Sequence, residues 1–208
     1  MRLSHTLLFL AVAGLSLTAC KPASEAPVAA ASDAPASTPA QEAPPAPVAE
    51  SVPTPDAPTD TQATFVGYGD MKLGSTVDEA KAAWGGELNG KPSEGGTCYY
   101  LTPKWVKTPS DFAFMAEDGK FVRYDVGTDK EAAPGGGKVG MTTEELQKLY
   151  NNALQSSPHK YVEGGRYLSV AASGVAPSKL VFETDAAGKV TAWRVGLTPQ
   201  VDYVEGCS

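Results

Sequence analysis

The stretch that decides the fold reads LGSTVDEAKAAW at residues 73–84, and its pattern returns as VGMTTEELQKLY at residues 139–150. Each copy has a glycine, a threonine two positions later (Thr76 or Thr142), and a glutamate three positions after that threonine. A threonine and a glutamate at this spacing form a capping box, in which each side chain accepts a hydrogen bond from the other residue's backbone N–H. Both stretches therefore predict the start of an α-helix.

The apolar residues behind the two caps recur at positions i, i+3 and i+4, which is the spacing of one buried stripe on a helix. They are Ala80, Ala83 and Trp84 in the first copy and Leu146, Leu149 and Tyr150 in the second. We expect each helix to bury this stripe against a sheet.

The segments that follow the two helices also correspond, and both predict β-hairpins. Residues 114–127 have a turn at Asp118-Gly119, and residues 181–196 have one at 185–188; Asp-Gly between β-rich runs is a strong hairpin signal. Because side chains alternate between the two faces of a strand, the pattern predicts one set of core residues and one set on an outer face. The core set is Val122, Tyr124, Val126, Thr191, Trp193 and Val195, and the outer set is Phe121, Arg123, Asp125, Val190, Ala192 and Arg194.

A helix followed by antiparallel strands, given twice, predicts an α+β fold. In this fold a helix plus an antiparallel β-meander is repeated in tandem, and the helices pack on one face of the sheet. We expect the domain to span residues 64–208, with units at about 67–134 and 135–208 that join at a glycine-rich connection, Gly135-Gly136-Gly137.

The outer face of the predicted sheet is the first candidate binding surface. It combines an apolar side chain, Phe121, with three charged ones, Arg123, Asp125 and Arg194. The alternative is an ordinary solvated sheet face that carries a few apolar residues.

A loop tryptophan is the second candidate. Trp105 lies between two lysines and two prolines in the sequence TPKWVKTP at residues 102–109. Such a residue stacks on a sugar ring or anchors a protein partner, or else it covers the open edge of the core. Tyr161 is a further candidate contact for carbohydrate.

Residues that mark chemistry are otherwise sparse. His159 is a possible general base, but no motif supplies a nucleophile or an orienting acid, so we expect an exposed loop histidine and no enzyme. A metal site would need further histidine or cysteine ligands, so neither a metal nor a cofactor is expected.

The N-terminus predicts export. Arg2 and an apolar run at residues 7–17 precede Leu17-Thr18-Ala19-Cys20, the pattern of a signal peptide over residues 1–19. The last four residues resemble the lipobox of bacterial lipoproteins. This resemblance implies cleavage before Cys20 and its lipidation (palmitate included), and therefore attachment to a membrane. Lys21, where inner-membrane lipoproteins have an aspartate, argues for the outer membrane. We expect the domain to lie in the periplasm.

The segment between this site and the domain, residues 20–63, is predicted to be a disordered linker. It holds ten of the 17 prolines and has no aromatic residue, leucine or isoleucine, so it buries too little apolar surface to offset its ordering entropy. The chain carries 24 acidic and 17 basic residues and no basic stripe, so nucleic acid is not an expected partner.

Cys98 and Cys207 form an even pair once Cys20 is set aside. In an oxidising compartment the expected state is a disulfide, with free thiols or metal ligation as the alternatives.

Two resemblances suggest a function. A Gly-Ser-Thr or Gly-Met-Thr turn that opens a capped helix resembles the unit of the small lipoprotein of the outer-membrane barrel-assembly complex, and two such units resemble the β-lactamase inhibitory protein family. Residues 203–207, Tyr-Val-Glu-Gly-Cys, resemble a loose group of small Gram-negative lipoproteins, some of them named lectins. The first resemblance implies a non-catalytic periplasmic module that binds an envelope protein, as an assembly factor or enzyme inhibitor. The second implies binding of carbohydrate or peptidoglycan.

Overall fold

A computed structural model describes residues 62–174 and 177–207. The predicted signal peptide, the lipidation site Cys20 and the predicted linker as far as residue 61 lie outside the described residues, so these remain predictions.

The described chain is mostly β-structure, in two antiparallel sheets. The small sheet has three strands of two residues each: β1 (Ala63–Thr64), β2 (Gly67–Tyr68) and β3 (Met71–Lys72). The large sheet has eight strands in the spatial order β4-β5-β6-β7-β11-β10-β9-β8. Its strands are β4 (Leu88–Asn89), β5 (Cys98–Pro103), β6 (Phe112–Glu117), β7 (Lys120–Val126), β8 (Gln155–Pro158), β9 (Arg166–Ala171), β10 (Ser178–Thr184) and β11 (Val190–Leu197).

The predicted α+β fold, with a tandem repeat of helices packed on a sheet, is wrong. The two helices, α1 (Val77–Trp84) and α2 (Thr143–Leu149), have only eight and seven residues. Among the described residues, no helix has the length and apolar composition that a membrane span requires. The share of helix in the fold was overestimated from the sequence because helix caps are local and easily recognised. Strands of two residues such as β1 and β4 are too short to show a periodicity.

Both predicted capping boxes are confirmed. The Oγ1 of Thr76 accepts from the Glu79 N–H at 3.3 Å, and a carboxylate oxygen of Glu79 accepts from the Thr76 N–H at 2.9 Å. Thr142 and Glu145 make the same pair of bonds at 3.2 and 2.8 Å. The bond from the cap's backbone N–H is the main reason why the pKa of each glutamate lies below its ordinary value.

Each helix start is also tied to the turn of a hairpin. The first helical N–H donates to a turn glycine in both cases, Val77 to the Gly119 carbonyl and Thr143 to the Gly188 carbonyl, each at 2.9 Å. The caps and the hairpin turns predicted from the sequence are therefore in direct contact. Glycine suits both turn positions because φ is +76° at Gly119 and +74° at Gly188, a region that disfavours other residues.

Two β-bulges alter the predicted assignment of faces. The pairing of β6 with β7 shifts between Met115 and Ala116, so Val122 is an extra residue on β7; an equivalent shift makes Thr191 an extra residue on β11. A bulge displaces the alternation by one residue. As a result Phe121 and Val190 lie in the core and Thr191 is exposed, the reverse of their predicted positions.

The core lies on one face of the large sheet, here called the core face. Its centre is a cluster of aromatic rings in edge-to-face contact, with Tyr124 6.0 Å from Trp193 and Phe114 5.6 Å from Phe121 between ring centroids. Tyr68 of the small sheet and Ala80 and Leu146 of the helices are also buried in this cluster.

The opposite face of the large sheet, here called the outer face, is partly covered by the end of the chain. We call residues 198–207 the C-terminal segment. It passes through a cis Thr198-Pro199 peptide bond and a short 3-10 helix (Gln200–Asp202) that packs against β7, β10 and β11. A disulfide joins Cys207 to Cys98 of β5, as predicted, across a sequence separation of 109.

Candidate functional site

Trp105 lies in the loop between β5 and β6, in a conformation fixed by two consecutive turns. The Val106 N–H donates to the Pro103 carbonyl, and the Asp111 N–H donates to the Thr108 carbonyl, both at 3.0 Å. Proline presets the backbone angle that the start of a turn needs, and Pro109 provides it in the second turn. The loop therefore holds Trp105 in place although the side chain is 65% exposed.

The indole of Trp105 stands between two clefts. On one side its ring lies 5.8 Å from the Phe112 ring at an interplanar angle of 31°. The cleft there, which we call the Phe112 cleft, has a volume of about 280 Å³ and is lined by Trp105, Val106, Lys107, Asp111, Phe112, Thr128, Lys130 and Glu131. On the other side the Trp84 cleft, about 340 Å³, is lined by Trp84, Gly85, Gly86, Glu87, Pro103, Lys104 and Trp105.

The rims of both clefts are polar and close to electrical balance. The Phe112 cleft has two lysines and two carboxylates along its lining. In the Trp84 cleft, Lys104 and Glu87 form an exposed ion pair. Glu131 is also close enough to Tyr68 to act on it: burial raises the pKa of the Tyr68 hydroxyl first, and the Glu131 carboxylate raises it further. The clefts thus combine aromatic walls with both donors and acceptors.

Arg123 and Arg194, predicted as binding residues on the outer face, are only 4% and 5% exposed. Arg123 donates through Nη1 to the carbonyls of Gln200 and Tyr203, at 3.0 and 2.7 Å. Arg194 donates through Nε to the Val201 carbonyl at 2.7 Å. The planar guanidinium forks therefore hold the C-terminal segment, and their buried charges are paired with side chains of the sheet.

The paired carboxylates are Asp125 and Glu183. Asp125 accepts from Nε of Arg123 at 2.9 Å, and Glu183 forms an ion pair with Arg194. Burial lowers the pKa of Arg123, but the charge and hydrogen bonds of Asp125 outweigh burial and the net shift is upward. These residues line a cavity of about 290 Å³ together with Tyr100, whose pKa is raised by burial and then by Asp125.

The remaining candidates from the sequence, Phe121 and Tyr161, lie in different places. Phe121 is 1% exposed inside the aromatic cluster, so its side chain does not reach the surface where we predicted it. Tyr161 is 60% exposed in the loop between β8 and β9, where its hydroxyl and Lys160 both bond to Glu205. Trp105 belongs to the loop between β5 and β6 and Tyr161 to the loop between β8 and β9, so the two candidates for carbohydrate binding lie in different loops.

His159 orders the Tyr161 loop, a role that the sequence did not indicate. Its Nδ1 accepts from the backbone N–H groups of Tyr161 and Val162, each at 3.1 Å. Its ring stacks on Tyr167 with centroids 4.5 Å apart, and Nε2 lies 3.5 Å from a Glu183 carboxylate oxygen. Within the described ranges no group of three or more acidic, histidine or cysteine side chains is arranged to hold a metal ion.

Comparison with known proteins adds little. No protein-family model matches the chain, and no curated protein matches it. Among solved structures, it is similar to an extracellular protein containing an SCP domain from Bacillus anthracis, with a TM-score of 0.41 and 14% identity, covering 73% of this chain but only 50% of that one. It is also similar to the uncharacterized protein yfeY from Escherichia coli, with a TM-score of 0.43, 17% identity, and coverage of 66% of this chain and 99% of that one. These likenesses are too low to assign a function.

Proposed function

We propose that the protein is a non-catalytic, lipid-anchored module of the bacterial envelope that binds cell-wall glycan at Trp105. The observation that carries this proposal is the exposed indole held by two turns between two clefts with polar rims. The apolar face of a sugar ring packs on an indole, while its hydroxyl groups both donate and accept. A preordered aromatic surface loses little conformational freedom on binding, so such a site needs no rearrangement.

The geometry favours glycan over the protein-binding sheet face suggested by the first resemblance. The arginines of that face are buried and already bonded to the C-terminal segment. The exposed large hydrophobic residues within the described ranges are Val66, Trp105, Tyr161 and Val162. They lie in three separate loops, whereas a stable protein interface needs roughly 800 Å² on each partner around a buried centre.

The decisive experiment is co-sedimentation of the full-length chain with purified peptidoglycan sacculi. We expect Trp105→Ala to reduce the bound fraction about tenfold or more while the unfolding midpoint stays unchanged. Tyr161→Ala is the matched control, because it removes an aromatic ring of similar exposure from a different loop. Equal retention of the Trp105→Ala variant and the wild type would refute the proposal.

The anchor is supported by the lipobox at Leu17-Thr18-Ala19-Cys20 and by Lys21 after it. Stable attachment requires more than one acyl chain, which a lipidated cysteine supplies. We expect metabolic labelling with palmitate in wild-type cells and none in a Cys20→Ser variant, and we expect the labelled protein in the outer-membrane fraction. Labelled protein in the inner-membrane fraction would contradict the assignment made from Lys21.

A second candidate function, binding of an envelope protein, is favoured by the Tyr161 loop. Tyr161 and Val162 are adjacent exposed apolar residues in a loop held by His159 and Glu205. Tyrosine anchors of this kind are enriched in protein interfaces. We expect a partner cross-linked in intact cells to be lost with Tyr161→Ala and retained with Trp105→Ala; loss with neither variant would exclude this loop as the contact.

A further inference from the structure

The two clefts beside Trp105 belong to a longer row of depressions. The Trp84 cleft shares Trp84 with a third hollow of about 340 Å³, which is lined by Tyr68, Asp70, Ala83 and Trp84 among others. The Phe112 cleft and the Trp84 cleft share Trp105. Three depressions thus follow one another, with a tryptophan at each boundary.

Both boundary tryptophans are held in place by the fold. Trp105 is fixed by its two turns. Trp84, the last residue of α1, packs edge to face on Phe114 at 5.3 Å and lies 6.4 Å from Tyr68 between ring centroids. Two fixed aromatic side chains along one row of depressions suit a ligand that is itself a repeat, because each unit of such a ligand offers the same apolar face and the same polar edge.

The charges along the row indicate which kind of repeating ligand it would bind. Lys104 and Glu87 neutralise each other in the middle cleft, the lysines of the Phe112 cleft are matched by Asp111 and Glu131, and the third hollow adds one carboxylate, Asp70. A surface that binds a polyanion carries an excess of cationic side chains, and this row has none. A row without cationic excess suits an uncharged polyhydroxyl chain better than a polyanion.

We infer that the row of depressions binds a linear, uncharged oligosaccharide of at least three sugar units, with Trp84 as a second stacking residue. This inference rests on the proposed function and specifies its ligand. It makes Trp84 and the glycines after it determinants of chain length. Gly86 is the most informative of them, since a Cβ there would lie 3.0 Å from Nε1 of Trp84 and a larger side chain would fill the middle cleft.

The test is titration calorimetry of the full-length chain in detergent with β-1,4-linked N-acetylglucosamine oligomers of increasing length. We expect affinity to rise about tenfold from one unit to two, to rise again by about the same factor from two units to three, and to level off beyond that. Gly86→Val should keep the affinity for the single sugar and abolish most of the rise. Trp84→Leu, which keeps apolar packing on Phe114 but removes the aromatic ring, tests the same point if Gly86→Val does not fold. Lys91→Ala, in the connection between β4 and β5, is the control.

The outcomes separate this inference from the function on which it rests. Binding to sacculi together with equal affinity for one and three units would overturn the inference and leave the proposed function intact. An undiminished rise with length in both Gly86→Val and Trp84→Leu would also overturn it. Tighter binding of polygalacturonate, an acidic chain, than of the uncharged N-acetylglucosamine oligomer of three units would refute the inference that the ligand is uncharged. If the protein bound neither sacculi nor any of the oligomers, the proposed function itself would be refuted.

Discussion

Arg123 joins the outer face of the large sheet to the C-terminal segment. Its guanidinium is buried between the Asp125 carboxylate and the carbonyls of Gln200 and Tyr203. A buried charge of this kind is tolerated only when its partners are in place, and removing one partner leaves the other uncompensated.

We therefore expect Arg123→Met to lower the free energy of unfolding by up to about 3–5 kcal/mol, because the half-buried Asp125 would lose its cation and the carbonyls of Gln200 and Tyr203 would lose their donor. Urea unfolding followed by tryptophan fluorescence measures this. Arg166→Met is the matched control, since Arg166 on β9 is exposed and should lose less than about 0.5 kcal/mol. Equal losses in the two variants would show that Arg123 is not held as described.

The same residue shows what the sequence could and could not predict at this scale. Alternation along β7 correctly placed Arg123 and Asp125 on one face of the sheet. The carbonyls that Arg123 binds belong to residues 77 and 80 positions later, and no local pattern indicates that pairing. Trp105 was selected as a candidate because prolines and lysines around a tryptophan are a local signal. Its position between two clefts depends on Trp84 and Phe112, which lie in other elements.

Among the elements, the two helix starts give the clearest prediction. Thr76→Ala and Thr142→Ala each remove the acceptor for a first-turn N–H, so we expect each to cost about 1 kcal/mol of unfolding free energy. Thermal and urea unfolding of the single and double variants measure this. The two losses should add in the double variant, because the caps lie at different helices and share no partner. A loss in the double variant far larger than the sum would contradict their independence.

The caps also predict a pH dependence. The pKa values of Glu79 and Glu145 lie below the ordinary value of 4.5 in the folded protein, chiefly because of the backbone bonds from Thr76 and Thr142. A carboxyl whose folded pKa is depressed stabilises the fold above its unfolded pKa, and this contribution is lost as the pH falls through the folded pKa. As the pH falls from about 5 through the folded pKa values of the two glutamates, we expect a Glu79→Gln, Glu145→Gln double variant to lose less unfolding free energy than the wild type. Parallel pH profiles would contradict this.

The elements that the sequence predicted well are those with local chemistry. The capping boxes and the hairpin turn at Asp118-Gly119 are confirmed because each is specified within a few residues. The bulges at Val122 and Thr191 were missed, since an extra residue in a strand leaves no mark in composition and yet reverses the faces on either side. Strand β8 (Gln155–Pro158) was missed because it is polar, fully exposed and ends in proline.

In the described chain as a whole, β7 and β11 pair antiparallel and turn two local meanders into one sheet of eight strands. Pairing between strands so distant in sequence is decided by packing and not by local pattern. This explains why the sequence predicted the hairpins and failed on the fold class. The C-terminal segment then crosses the outer face of that sheet, and the disulfide between Cys98 and Cys207 fixes its end to β5.

The last prediction concerns the disulfide that fixes the C-terminal segment to β5. The disulfide spans a sequence separation of 109, and a loop of that length contributes at most about 4–5 kcal/mol by restricting the unfolded chain. We expect a Cys98→Ser, Cys207→Ser double variant to lose up to this amount in urea unfolding while remaining folded, because Arg123 and Arg194 still bond the C-terminal segment. Hydrogen exchange should accelerate at Gly206, nearest the lost bond, more than in β6 and β7. A uniform acceleration across the sheet would instead mean that the disulfide supports the whole fold, and an unchanged midpoint would mean that the arginines hold the segment unaided.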